Sequence, residues 1–123
     1  GGEFSRLMLA FKYAVAGKKQ LGTLIFDEID SGISGEIARK MGTILQQMGR
    51  QHQLITITHL HQIAAFGNEH FYVYKDHSHD MTMSRIKKLT DQERILELAQ
   101  MIGGQNPSES VISNARELLE KSR

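Results

Sequence analysis

The run Leu24-Ile25-Phe26 leads directly into two adjacent carboxylates, Asp27 and Glu28. A buried strand that carries two charges at its tip costs free energy unless those charges are used. In enzymes that cleave nucleotides, the first carboxylate of such a pair helps to hold a magnesium ion, and the second accepts a proton from the attacking water. A second β-branched run, Ile55-Thr56-Ile57-Thr58, has His59 just past its end. Ahead of both, Gly1-Gly2 stand before an apolar run from Leu7 to Val15. Glycines in front of a helix leave bare backbone N–H groups where an anion can sit. Taken singly, each of these features is equally what a solvated strand end or a simple turn would show.

Bringing such residues together is the task of the elements around them. Thr23 to Phe26 reads as a strand started by Gly22. Ser34 is placed to cap a helix whose stripe is Ile37, Met41, Ile44, Leu45 and Met48. Gly49 and the polar Arg50-Gln51-His52-Gln53 end it, and Leu54 to Thr58 forms the next strand. A strand, a helix of about four turns and a strand make a right-handed βαβ unit with parallel strands. The carboxyl ends of the two strands then share one sheet edge, where open α/β sheets bind ligands, and Asp27, Glu28 and His59 meet there. From Ser5 to Val15 nearly every side chain is apolar, which predicts a buried helix, and Gly17-Lys18-Lys19 reads as its C-cap and turn.

The rest of the chain reads as a short helix over Leu60 to Phe66 and then a hairpin. Its strands are Glu69 to Lys75, with Phe71 and Val73 on one face and Tyr72 and Tyr74 on the other, and Met81 to Leu89. Ile95, Leu98, Ala99 and Ile102 stripe a helix that ends at Gly103-Gly104. Asn106-Pro107-Ser108-Glu109 reads as N-cap, first-turn proline and capping-box glutamate of a last helix striped by Val111, Ala115, Leu118 and Leu119.

Composition narrows the classes. With 123 residues the chain can bury one core, and the absence of cysteine excludes disulfides and thiolate metal sites. No apolar run approaches the ~20 residues of a membrane span. A net charge of +1 gives no overall electrostatic footprint for nucleic acid. Arg6, Lys18-Lys19 and Lys87-Lys88 could touch phosphates but read first as ordinary solvated faces. His59-Leu60-His61 and His77-Ser78-His79-Asp80 pair histidines two apart without the further ligands a tetrahedral zinc site needs.

The order of glycines and helix, acidic-ended strand, Asp30-Ser31-Gly32-Ile33-Ser34 loop, helix and histidine-ended strand resembles the C-terminal half of an ABC-type P-loop ATPase head. In that family these segments are the signature motif, Walker B strand, D-loop and switch histidine. Transporter members usually carry Gln after the paired glycines and Pro after the acidic pair. Glu3 and Ile29-Asp30 stand here instead, as in the chromosome-maintenance (SMC-like) branch. Gly32-Ile33-Ser34-Gly35, where that branch tends to have Ala-Leu-Asp, and Glu97 to Gly104 resemble its bacterial DNA-repair members. The Ser that normally precedes the glycines is not present, nor is a Gly-x-x-x-x-Gly-Lys-Ser/Thr phosphate loop.

The resemblance implies an α/β fold. Residues 1–123 would form one domain, the C-terminal lobe of a head, with a parallel βαβ core, a β-hairpin and two C-terminal helices. The Walker A half and a coiled coil would lie upstream. It implies ATP and Mg2+ as cofactors, with Asp27 acting on the metal through water, Glu28 as general base and His59 sensing the γ-phosphate. Gly1, Gly2 and Glu3, with Ser31, Gly32 and Ser34, would meet the nucleotide held by a second head, so that ATP is sandwiched in a homodimer. Asp30 to Ser34 would contact that opposite head. The remaining partners are the N-terminal half of the same head and, through the full-length protein, double-stranded DNA under repair by recombination in the bacterial cytoplasm, with no membrane. Two alternatives remain open at this level: a head fragment of another ABC-type ATPase, or a non-catalytic dimerisation module.

Overall fold

The computed structural model describes residues 2–16 and 22–123. They fall into two compact units: residues up to Phe66, and residues 67–121 with Arg123. The cap expected at Gly17-Lys18-Lys19 lies outside the described residues.

In the first unit, helix α1 (Gly2–Ala16) precedes strand β1 (Thr23–Asp27), helix α2 (Gly35–Gly49), strand β2 (Gln53–Ile57) and the short helix α3 (His61–Ala64). β1 and β2 pair in parallel, with Thr23 opposite Gln53 and Asp27 opposite Ile57, as the βαβ pattern predicts. Side chains alternate across a strand, so Leu24 and Phe26 point one way. There they join Leu9, Ile29, Ala38, Met41, Leu45, Met48 and Ile63 in one core. Each such large apolar side chain contributes about 1.5–3 kcal/mol by leaving water. α2 packs through Met41, Leu45 and Met48 of the expected stripe, while Ile37 and Ile44 are exposed. Gly42 lets α2 approach Phe66: a Cβ there would fall on the Phe66 ring and 3.1 Å from the Gln62 carbonyl.

One expectation fails here. α1 is apolar all round, yet Leu7, Phe11 and Tyr13 are exposed and Leu9 supplies its core contact. The opposite face of the sheet is likewise open, with Ile25, Ile55 and Ile57 uncovered. Apolar patterning marks faces suited to burial, and among the described residues these faces of α1 and the sheet are open.

In the second unit, strands β3 (Phe71–Asp76) and β4 (Met83–Lys88) form the expected antiparallel hairpin, with Phe71 opposite Lys88 and Asp76 opposite Met83. Tyr72 and Tyr74 share a face and stack, their ring centroids 5.8 Å apart. Helices α4 (Asp91–Gly103) and α5 (Glu109–Lys121) bury Ile95, Leu98 and Ala99 on one and Ala115 and Leu119 on the other. Thr90 caps α4 through a complete capping box with Glu93. The expected cap of α5 is displaced. Asn106 takes a left-handed turn at φ 56°, which short amide side chains tolerate, and α5 starts only at Glu109. The Ser108 hydroxyl accepts from the Val111 N–H at 3.4 Å, where Asn106 was expected to act.

Candidate functional site

The tip of β1 carries one of the two non-glycine residues in left-handed backbone among the described residues. Asp27 ends the strand and is exposed. Glu28, also exposed, stands at φ 61°, in left-handed backbone. That conformation costs a residue with a side chain about 1–3 kcal/mol and concentrates at functional sites. It turns the chain sharply: the Ser31 N–H donates to the Glu28 carbonyl at 3.3 Å, and the Ile33 N–H to the Asp30 carbonyl at 3.4 Å. Gly32 at φ 76° and Gly35 at φ 57° complete the loop where side chains would be strained. The reversal sends Ile29 into the core and leaves both carboxylates of the acidic pair in solvent.

Asp30 follows Ile29 inward and is 2% exposed. A buried carboxylate must be hydrogen-bonded. One of its oxygens, Oδ2, accepts from the Thr58 hydroxyl at 2.5 Å and from the His59 N–H at 2.9 Å. It also lies 3.0 Å from His59 Nδ1. The Thr58 hydroxyl in turn accepts from the Leu60 N–H at 3.0 Å, holding the entry to α3. The loop after β1 is thus fastened to the segment after β2. His59 remains 72% exposed at its side chain while its ring is anchored from one side.

Gly2 meets the same loop. It is buried as the first residue of α1, and a Cβ there would lie 2.7 Å from Ser31 Cβ and 2.8 Å from Arg6 Nη1. Arg6 Nη1 donates to the Ser31 carbonyl. The sequence suggests a glycine turn before the helix; instead Gly2 already belongs to its first turn, and Glu3 stands exposed beside it, where a helix N-terminus favours negative charge. Gly1 lies outside the described residues.

Asp27, Glu28 and His59 therefore stand at the carboxyl ends of paired neighbouring strands, with Gly2 and Ser31 joined at the intervening loop. Gly32 and Ser34 lie exposed farther along that loop. Ser34 is the backbone N-cap of α2, but its hydroxyl makes no capping bond. Asp30 is the residue whose part was not foreseen: expected to face outward with Ser31 to Ser34, it is turned into the protein. Thr58 and Arg6 were likewise not singled out for these bonds. Their partners lie 25 to 29 residues away, a distance no local pattern spans.

No family model matches the chain. It is 41% identical to the DNA repair protein RecN of Streptomyces coelicolor over 123 residues, all of this chain and 22% of that protein. Against RecN of Vibrio cholerae it is 41% identical over 119 residues, 97% of this chain and 22% of that protein. Against RecN of Bacillus subtilis it is 36% identical over 121 residues, 98% of this chain and 21% of that protein. The chain spans about a fifth of the length of the curated relatives it matches. Among solved structures it is similar to one described under ATP-driven dimerization and DNA-stimulated activation of SMC ATPases. The TM-score is 0.66 at 21% identity, over 86% of this chain and 63% of that one. The chain is homologous over its whole length to the C-terminal part of the DNA repair protein RecN, and its fold is that of an SMC-type ATPase head.

Proposed function

We propose that the chain is the C-terminal lobe, residues 1–123, of an ATPase head that hydrolyses ATP to ADP and phosphate between two engaged heads during DNA double-strand break repair. The observation that carries this is the left-handed Glu28 beside Asp27 at the tip of β1, with His59 at the tip of the paired strand. Glu28 is exposed and free to turn toward a water, and would take its proton as that water attacks the γ-phosphorus. His59 would contact the γ-phosphate. The N–H groups of Gly1, Gly2 and Glu3, with Ser31, Gly32 and Ser34, would meet the nucleotide of the partner head.

Among the described residues no group of three or more His, Cys, Asp or Glu is arranged to hold a metal. Magnesium fits these residues in another way, since it keeps several waters and leans on one or two carboxylates and the phosphates themselves. Asp27, exposed at the strand end, is the carboxylate available for that. When bound, the ion would neutralise charge on the phosphates.

The uncovered faces support a further partner, the N-terminal half of the same head. A parallel sheet is covered on both faces in stable α/β proteins, and Ile25, Ile55 and Ile57 form an apolar face that awaits such cover. Double-stranded DNA would be bound by the full-length protein, in the bacterial cytoplasm; among the described residues no helix is long and apolar enough to cross a membrane.

The test is ATP turnover by the full-length protein, with and without linear duplex DNA, comparing wild type with Glu28→Gln. We expect the variant to bind ATP and form lasting dimers without hydrolysis. Unchanged hydrolysis would remove Glu28 as the base. The isolated chain, without a phosphate loop, is expected to show no turnover at micromolar concentration, and robust turnover by it would overturn the division of labour between the two halves.

A further inference from the structure

The buried Asp30 carboxylate is a fixed point: its Oδ2 accepts from the Thr58 hydroxyl and the His59 backbone N–H, and the same oxygen lies 3.0 Å from His59 Nδ1. The backbone N–H of His59 and its ring both turn to Asp30 Oδ2, so the imidazole is folded against the anchor that holds its own main chain. A carboxylate accepts and does not donate, so a proton on the facing nitrogen, Nδ1, is the arrangement in which the ring can bond to Asp30. Nε2 is then the ring atom left for a ligand. Asp30 belongs to the turn that continues into Ser31, whose carbonyl takes the Arg6 bond from α1. A displacement of this loop would therefore be felt directly by the histidine ring.

We propose that Asp30 is the positioning residue of His59: it holds the imidazole with Nδ1 inward and Nε2 outward, and ties the orientation of the ring to the state of the Asp30–Ser34 loop. The assignment of a phosphate to Nε2 rests on the reading of His59 given above; the orientation of the ring does not. Thr58 has a separate part, fastening the carboxylate to the start of α3 through the Leu60 N–H.

The experiment is a double-mutant cycle in the full-length protein, read as kcat and KM for ATP, with Asp30→Ala, His59→Ala and the pair, and Asp30→Asn as the conservative variant. Removing the partner that orients a functional histidine costs about 10- to 100-fold, so Asp30→Ala is expected to lower kcat by that factor with KM changed less than about 3-fold. Asp30→Asn keeps an acceptor of the same shape and should recover part of the loss. In the His59→Ala background the Asp30→Ala change should add less than about 3-fold. Equal losses in both backgrounds would reduce Asp30 to a structural staple and overturn the proposal, as would an unchanged kcat in Asp30→Ala. Nitrogen-15 spectra of the His59 ring supply a readout that needs no nucleotide. Nδ1 should be the protonated nitrogen of the neutral ring in the wild type and lose that preference in Asp30→Ala. If His59→Ala leaves turnover intact, the reading of His59 as a phosphate contact fails, and the ring spectra alone decide: an Nδ1 preference that persists without Asp30 overturns the positioning role.

Discussion

The two compact units treat their polar groups in opposite ways. Around α4 the local rules are kept: Thr90 and Glu93 close a capping box, and buried Arg94 donates to the Gly67 carbonyl at 2.8 Å and the Asn68 carbonyl at 3.3 Å. Around the tip of β1 they are broken. Glu28 is left-handed, Asp30 is a buried charge, Ser34 opens α2 without a side-chain cap, and an apolar sheet face is uncovered. Departures from local consistency that gather at one place mark a site where something other than stability is served. If that contrast holds, substitutions in the first region should change chemistry more than stability, and substitutions in the second should do the reverse.

The largest test is Glu28 itself. Replacing a general base lowers turnover about 10²- to 10⁴-fold, and Glu28→Gln should do so in the full-length protein with little change in its urea midpoint. Glu28→Gly should be equally inactive yet more stable, by up to about 1 kcal/mol, because glycine holds φ 61° without strain. A Glu28→Gly protein that is less stable than wild type would break the comparison, since the left-handed position would then not be a strained one. In the second region, Leu98 is fully buried, and Leu98→Ala should cost about 2–5 kcal/mol while turnover per folded molecule stays unchanged.

How much of this is legible without coordinates follows the same divide. The parallel pairing, the acidic strand tip and the histidine of the neighbouring strand are readable because each is a local pattern, and a strand–helix–strand unit has one common arrangement. The Thr90-Asp91-Gln92-Glu93 capping box was readable too, as Thr followed three residues later by Glu ahead of an apolar stripe, though it was not singled out. Asn106 carries the signal of an N-cap and is instead a left-handed turn residue, because the same side-chain chemistry serves either purpose. The role of Asp30 could not be read, since a carboxylate in a polar loop looks solvated until the fold brings Thr58 and His59 to it. The burial of α1 follows the complementary pattern: its all-round apolar sequence predicts burial, and among the described residues Leu9 is covered while Leu7, Phe11 and Tyr13 are exposed.

Capping gives a smaller and more direct comparison, with one hydroxyl residue at the start of each of two helices. The Thr90 hydroxyl accepts from the Glu93 N–H at 3.2 Å, so Thr90→Ala should destabilise by about 1 kcal/mol. The Ser34 hydroxyl makes no such bond, so Ser34→Ala should shift the urea midpoint by less than about half of that. Equal losses at the two caps would mean that Ser34 is recruited as a cap in solution and is not held in reserve on the loop.

The smallest expected effect is one of pH, and it tests a place beside α4 where the local rules are not kept. His70 lies half-buried before β3, and its pKa is lowered from 6.5, first by burial and then by the positive charge of Arg94. Its Nδ1 and the Nε of Arg94 are buried without hydrogen-bond partners among the described residues. Protonation of His70 would set a second charge beside a guanidinium already committed to two carbonyls. The unfolded chain takes up that proton more readily than the folded one, so stability rises with pH. The contribution is complete above the unfolded value of 6.5 and is lost as pH falls through it toward the lower folded value. Urea midpoints measured from about pH 7.5 down to about pH 5 should therefore fall less steeply in His70→Gln than in wild type. Parallel pH slopes would place the folded pKa of His70 at its ordinary value, with water reaching the ring. The second unit would then have an opening next to Arg94.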